Sequence, residues 1–351
     1  MARHPDKPRA VVLTRFSAMG DVAIAVPPVY DLCLANPDLT VVFVTRRRLA
    51  SIMVNPPANL VTEGIDTDRY KGITGMWRLA AQLRKKYNIV AFIDLHDVIR
   101  TKLLRLYMRL HNVKVTSIRK GRRQKKELVR KGAQTYLADG GTPLPTTESR
   151  YRNAIERAGF SAPHSFVSLF HNESVSPSDN KCRIGIAPFA AHQGKIYPSR
   201  LMKQVVDALA DRQNTEIYLF GAGEKETALL SAWAAGKPNV VNMASRNEGL
   251  VAELRLMSTL NAMIAMDSAN MHLAAIAGVP RIVAVWGATH PAAGFTPFMP
   301  HSTNTPHIIN VEIPLHCRPC SVYGNRQCRR GDYHCLHSIS PHTILTALED
   351  I

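Results

Sequence analysis

The strongest constraint on this chain is a rhythm. Short runs of apolar, β-branched residues alternate with helix-length segments, and the series occurs twice. In the first half "AVVLTRF", "LTVVFVT", "NIVAFIDL" and "VKVTSIRK" read as strands, with "VAIAVPPVYDLCLA" as a helix between the first two. After the helical "RYRNAIERAGF" the chain turns to Ser, Asn, Pro and Asp punctuation. A second series follows: "CRIGIAP", "SRLMKQVVDALADR", "TEIYLFG", "ETALLSAWAAG", "NVVNMA", "LVAELRLMSTL", "NAMIAMD", "ANMHLAAIAG" and "RIVAVWG". Nearly continuous apolar strands joined by helices form parallel sheets covered on both faces. The expected fold class is α/β: two doubly wound parallel-sheet domains in tandem. A length of 351 residues suits two domains. They are placed at 1–165 and 182–351, with a linker at 166–181.

Apolar residues at 46% and charged residues at 20% exclude a disordered or fibrous chain. No stretch supplies the roughly 20 uncharged apolar residues that span a bilayer, and "MARHPDKPRAVVLTRF" lacks the apolar run of a secretory signal. The expectation is a cytoplasmic chain, peripheral to a membrane if it meets one, and monomeric. A net charge of +17 attracts phosphates, nucleic acid or an anionic membrane face. The strongest basic run is "SIRKGRRQKKELVRKG", residues 117–132. It reads as a solvated helix face or loop, or as an attractor of phosphorylated lipid. No aromatic residue interleaves it, so base stacking has no support and no nucleic-acid partner is expected.

In open parallel sheets ligands bind outside the carboxyl ends of the strands, so the loops there carry the candidate chemistry. After the first strand, "RFSAMGDVAIAVPPV" places Gly20 and Asp21 at a helix start. Asp21 reads as an N-cap, or as a carboxylate able to take a proton from a hydroxyl. In "FAAHQGKIYP", Gly194 and Lys195 precede a helix from Ser199. There an ammonium and backbone amides can neutralise a diphosphate without a metal, although a solvated lysine fits equally. "YLFGAGEKE" lacks the third glycine of a dinucleotide fingerprint. Glu224 and Glu226 read as helix-initiating acids or as acceptors for ribose hydroxyls. In "MDSANMHLAAIAGVP", Asp267 and Ser268 follow a strand and open a helix that Gly278 ends. His272 is a packed core histidine or part of an anion pocket with them. "VWGATHP" adds a second small, polar loop after a strand.

Cys317, Cys320, Cys328 and Cys335 form C-x2-C-x7-C-x6-C within a tail segment at 316–337. The first pair has the spacing of a zinc half-site, so structural zinc is one reading and unligated or disulfide-linked cysteines the other. Cys33 and Cys182 read as small buried hydrophobes.

"RFSAMGDVAIAVP", "APFAAHQGKIYP", "FGAGEKE", "MDSANMHLAAIAGVPRIVAVWGATHP" and the cysteine-bearing tail follow one another as in the bacterial lipopolysaccharide heptosyltransferases, glycosyltransferase family 9, which the chain resembles over nearly its whole length. The resemblance implies a GT-B fold, two Rossmann-like domains facing a cleft, with the donor held mainly by the second domain and the acceptor by the first. It implies that Asp21 is the general base, and that Lys195, beside Gly194, contacts the donor diphosphate. Asp267, Ser268 and His272 would bind donor phosphates and sugar, with Ala269 where the family pattern has glycine and Asn270 next to it. Gly287, Thr289 and Pro291 match the Gly-x-Thr-x-Pro loop, and Glu226 joins the donor side. On the acceptor side stand Ser17, Gly20, Arg119, Lys120, Arg122 and Arg123. The implied reaction is inverting transfer of a sugar, heptose from ADP-heptose, to a lipopolysaccharide core or related glycan at the inner face of the inner membrane. Domain closure would bring Asp21 toward the donor carbon. No cofactor is expected, because the one Asp-x-Asp, "DTD" at 66–68, reads as a turn. The alternative is a non-catalytic module that binds a nucleotide or anionic lipid.

Overall fold

The computed structural model describes residues 7–173, 179–300, 307–349 and 351. The start of the chain through Asp6 and five positions of the expected linker, 174–178, lie outside the described residues.

The first half runs β1 (Arg9–Thr14), α1 (Met19–Ala35), β2 (Thr40–Arg46), β3 (Leu60–Ile65), α2 (Gly72–Lys86), β4 (Asn88–Asp94), α3 (Ile99–Leu110) and β5 (Lys114–Ser117), then α4 (Arg122–Lys131), α5 (Ala133–Ala138) and α6 (Thr147–Arg157). The sheet is parallel throughout, in the order β3-β2-β1-β4-β5. β1 is buried from Ala10 onward and β2 from Val41 to Thr45, as central parallel strands require. α1 passes through Pro27 and Pro28, each of which forfeits a helical hydrogen bond, and every residue from Val22 to Cys33 is buried. β3 was not among the expected strands, because Thr62, Glu63 and Gly64 interrupt its apolar pattern.

The second series is β6 (Cys182–Ala187), α7 (Ser199–Ala210), β7 (Thr215–Leu219), α8 (Glu224–Ala234), β8 (Val240–Asn242), α9 (Leu250–Met257), β9 (Ala262–Met266), α10 (Ala269–Ala277), β10 (Arg281–Val285), β11 (His307–Val311), α11 (His334–His337) and α12 (Pro341–Thr346). Its parallel sheet has the order β11-β10-β9-β6-β7-β8. All of "AMIAM" in β9 is buried. It belongs to a core with Ile184, Val206, Leu219, Trp233 and Val285. α10 ends at Gly278 in the left-handed conformation, as its sequence suggested.

The chain forms two compact units, and they do not divide at a single point. The first takes residues up to Lys120 and returns for Thr147–Phe166; the second takes Gly121–Thr146 and everything from Val167 onward. The expected first domain, 1–165 without a break, therefore differs from the structure over 121–146. The physical reason is a small apolar cluster in the second unit, where Leu128, Ala133 and Leu144 pack with Ala292 and Ala293. Backbone bonds reinforce it, from Ala133 N–H to the Arg318 carbonyl at 2.6 Å and from Leu144 N–H to the Ala292 carbonyl at 2.9 Å.

Each sheet has one place where strand order reverses, between β1 and β4 in the first unit and between β6 and β9 in the second. Loops diverge at such switch points and leave a crevice beside the carboxyl ends of the strands.

Candidate functional sites at the two switch points

In the first unit, the loop after β1 brings Arg15, Phe16, Ser17 and Asp21 beside the loop after β4. Asp21 stands in the first turn of α1 rather than at its cap. Its carboxylate accepts the Ala18 N–H at 3.2 Å and forms an ion pair with Arg15. Arg15 is buried and also donates to the Leu95 carbonyl at 2.9 Å, which ties the two loops together. Burial opposes the charge on Arg15, but Tyr151, Asp21 and Asp94 around it outweigh that, and its pKa stands above the ordinary value.

The loop after β4 is built on Asp94, a fully buried carboxylate that accepts the backbone N–H groups of His96 and Asp97 at 2.8 Å each. Arg105 reaches Asp94 at 3.4 Å and Asp97 at 3.2 Å. His96 is held edge-on to Phe16, with ring centroids 6.2 Å apart, and its Nδ1 is buried without a hydrogen bond. Burial first, then the cations of Arg15 and Lys120, push its pKa down to about 3, so the ring is neutral at physiological pH. An open cleft of about 540 Å³ is lined by Phe16, Ser17, His96 and the start of α3. Ser17 and Asp21 thus share one corner with Lys120, whose ammonium donates to the Asp97 carbonyl at 3.2 Å, while Gly20 lies in the first turn of α1. Arg119 contributes its carbonyl, which accepts from Arg150 at 2.8 Å. Arg122 and Arg123 belong to α4 in the second unit and are exposed.

In the second unit the site centres on Lys195. The solvated-surface reading does not hold, because its ammonium lies 2.8 Å from Asp267 Oδ2, and the contact's angle falls short of a hydrogen bond. Asp267 is buried at the end of β9. The loops after β6 and β10 interlock: Ala288 N–H donates to the Gly194 carbonyl at 2.7 Å. A Cβ on Gly194 would come within 2.8 Å of the Ala288 methyl, and one on Gly287 would run into the Gly194 carbonyl and Leu336, so both positions need glycine for close approach.

Ser268 occupies the N-cap position of α10, yet its side chain makes no capping bond and its hydroxyl is buried without a partner. The fully buried Thr289 hydroxyl is likewise unpartnered. Ala269 and Asn270, the first two residues of α10, are half-buried, and His272 one turn on is buried. The first amides of a helix are donors with no partner inside it, and two unpaired hydroxyls at the same strand ends extend that donor set. Such an arrangement suits an anion. Glu226 turns inward: its carboxylate accepts the Ala222 N–H at 2.8 Å and fixes the loop before α8, which favours the helix-initiating reading for that oxygen. Pro291 begins a short 3-10 turn, and "DTD" is a turn as expected, with Asp66 accepting the Asp68 N–H at 3.0 Å.

The cysteine segment buttresses this site. Arg318, 1% exposed, donates to the carbonyls of Gly287 at 2.5 Å, Ile313 at 2.6 Å and Thr289 at 2.9 Å, and its guanidinium lies 2.8 Å from Glu312. The Cys320 N–H bonds the Ala288 carbonyl at 2.8 Å, and Gly324 packs on the aliphatic stem of Lys195. All four cysteines are free thiols. Burial, then Cys317, Cys335 and Cys328 nearby, push Cys320 up to about 11. Among the described residues no group of three or more His, Cys, Asp or Glu is placed to hold a metal ion. Cys33 is buried as expected and Cys182 partly so.

Sequence reasoning missed Arg15, His96 and Arg318. The first two follow apolar strands and fell under the same strand-end rule; Arg318 sits in an irregular segment where no periodicity marks it.

Two parallel-sheet α/β units of this kind are the architecture of the GT-B glycosyltransferases. The profile of glycosyltransferase family 9 (heptosyltransferase) matches residues 76–329, and the chain belongs to that family. Solved structures of similar fold include E. coli heptosyltransferase WaaC with ADP, at 17% identity and a TM-score of 0.65, covering 97% of this chain and 99% of that one. A family 9 glycosyltransferase from Veillonella parvula DSM 2008 has 20% identity and a TM-score of 0.70, with 100% and 98% covered. E. coli ADP-heptose lps heptosyltransferase II has 19% identity and a TM-score of 0.64, with 97% and 98% covered. A search of curated proteins gave no match.

Proposed function

We propose that this glycosyltransferase takes heptose from ADP-heptose and transfers it, with inversion, to a saccharide of the lipopolysaccharide core or a related glycan. The observation that carries the reading is the donor site of the second unit: the Lys195 and Asp267 ion contact at 2.8 Å beside the start of α10, with the hydroxyls of Ser268 and Thr289 unpartnered. The similar E. coli structure carries ADP, and the site's donors suit a diphosphate. The acceptor hydroxyl gives its proton to Asp21 while its oxygen attacks the anomeric carbon. The bond from that carbon to the diphosphate breaks, its electron pair leaving on the nucleoside diphosphate. Lys195 and the α10 amides neutralise the charge that develops there, a role that needs no metal. Arg15 and the Ala18 N–H hold the Asp21 carboxylate in one orientation. The enzyme works as a monomer on the cytoplasmic face of the inner membrane, peripheral to it.

Thermal shift against ADP, ADP-heptose, GDP and UDP, followed by turnover, tests the reading. ADP-heptose is expected to raise the melting temperature most, and Lys195→Ala to weaken that shift. Asp21→Asn should keep donor binding and lose 10²- to 10⁴-fold in turnover, roughly the contribution of a general base. Chelation should leave turnover unchanged. No shift with any nucleotide sugar from the folded wild-type protein would sink the proposal.

A further inference from the structure

α3 carries apolar residues on two opposite sides, one more than a helix that only covers a sheet needs. Thr101, Leu104 and Met108 face the core and are fully buried. The opposite edge, which solvent-facing helices fill with charge, is instead Ile99, Leu106 and Leu110, at 78%, 47% and 62% exposure. At 100° per residue these three fall within about 40° of one another, a ridge running roughly 16 Å along the helix. Cations border it: Lys102 and Arg109 on one flank and Arg100 on the other, with no acidic residue anywhere in α3. Scattered exposed leucines need no explanation, but an aligned apolar ridge between cationic flanks does.

We infer that α3 is the surface by which this enzyme lies on an anionic phospholipid bilayer, with Ile99, Leu106 and Leu110 among the acyl chains and Arg100, Lys102 and Arg109 on the headgroup phosphates. An apolar edge with Lys and Arg beside it is the composition of helices that rest in the membrane interface. The complementary charge is that of an anionic leaflet. A second copy of the chain would bring the same cationic flanks and no acid to meet them. The basic run at 117–132, by contrast, is poorly built for this task. α4 turns Leu128 into the second unit's core and stacks the buried Lys125 ammonium 4.0 Å above the Phe295 ring, leaving charge without an apolar edge. Ile99 also lines the cleft that holds Ser17 and His96, so the ridge begins at the mouth of the acceptor-side crevice. The inference rests on the proposed peripheral placement at the inner membrane and assigns the face that meets the lipid.

The test is co-sedimentation of the full chain with phosphatidylcholine vesicles, with and without phosphatidylglycerol. Wild type is expected to bind only the anionic vesicles. Leu106→Ser/Leu110→Ser should lower binding about tenfold or more, and Arg109→Gln about fivefold. Arg122→Gln/Arg123→Gln/Lys126→Gln/Arg130→Gln on α4 should cost less than the leucine pair. The leucine variant, altered only at exposed positions, should keep the wild-type melting temperature and turnover on a lipid-free acceptor saccharide. Equal binding by wild type and the leucine variant, loss through the α4 set alone, failure of wild type to bind, or a wild-type dimer in sedimentation that Leu106→Ser/Leu110→Ser dissolves would each overturn the assignment. Vesicle binding without turnover of any nucleotide sugar would remove the enzymatic reading and leave α3 as the membrane face.

Discussion

At the scale of single residues, the two sites differ in how their polar groups are satisfied. Around Asp21 the charges are paired: Arg15 holds the carboxylate, and Arg105 holds Asp94 and Asp97. Around Lys195 two hydroxyls are left over, and a buried polar group without a partner costs about 1–3 kcal/mol until something binds it. His96 is the titratable exception in the first unit. Its folded pKa of about 3 lies below the ordinary 6.5, so between those values the unfolded chain binds more protons than the folded one. The stability that this supplies is complete above pH 6.5 and is lost as the pH falls toward 3. In denaturation followed from pH 7 to pH 4, wild type should therefore lose stability more steeply than His96→Gln, by up to one proton's slope; parallel curves would mean that His96 titrates normally. Little of this pairing was legible beforehand. "RFSAMGD" announces a strand end with an acid, but only the fold shows that the arginine six residues before Asp21 turns back onto it.

At the scale of elements, apolar pattern and strand-end rule carried most of the reading. Nine strands were recognisable, the central ones because parallel strands buried on both faces leave unbroken runs such as "AMIAM". β3 and β11 escaped because polar residues break their apolar runs, Thr62 and Glu63 in "LVTEGI" and Asn310 in "HIINV". α3 has a period that fits a helix, yet which of its edges faces solvent depends on the sheet beneath it, and the sequence alone carries no such direction. The loop after β10 shows the same limit. Its carbonyls converge on Arg318, from Gly287, Thr289 and Ile313, and no local pattern predicts that convergence. Arg318→Met should therefore cost on the order of 3–5 kcal/mol, since it strands several buried acceptors and the Glu312 carboxylate. Urea denaturation reads the loss. It should be accompanied by weaker ADP binding, because the loop that interlocks with Gly194 loosens with it. A loss below about 1 kcal/mol would show that the loop holds itself.

For the whole molecule, the doubly wound pair was visible in the repeated strand–helix rhythm, and the membership of 121–146 was not. Basic residues dominate that segment, and its few apolar side chains gain meaning only beside Ala292 and Ala293. Two units with separate cores do not obey two-state unfolding as a rule. Calorimetry should show two transitions, and ADP at about 100 times its dissociation constant should stabilise only the second unit, by about 2.7 kcal/mol. A single transition that moves as one would show that the units melt together. The interrupted path of the chain also sets a clock. During synthesis Leu128 and Leu144 leave the ribosome roughly 150 residues before Ala292 and Ala293, the alanines they pack on. At about 5–20 residues per second, that is a wait of about 8–30 s. For that interval the apolar side chains of a strongly cationic segment have only one another to pack on, and the cluster stays half built.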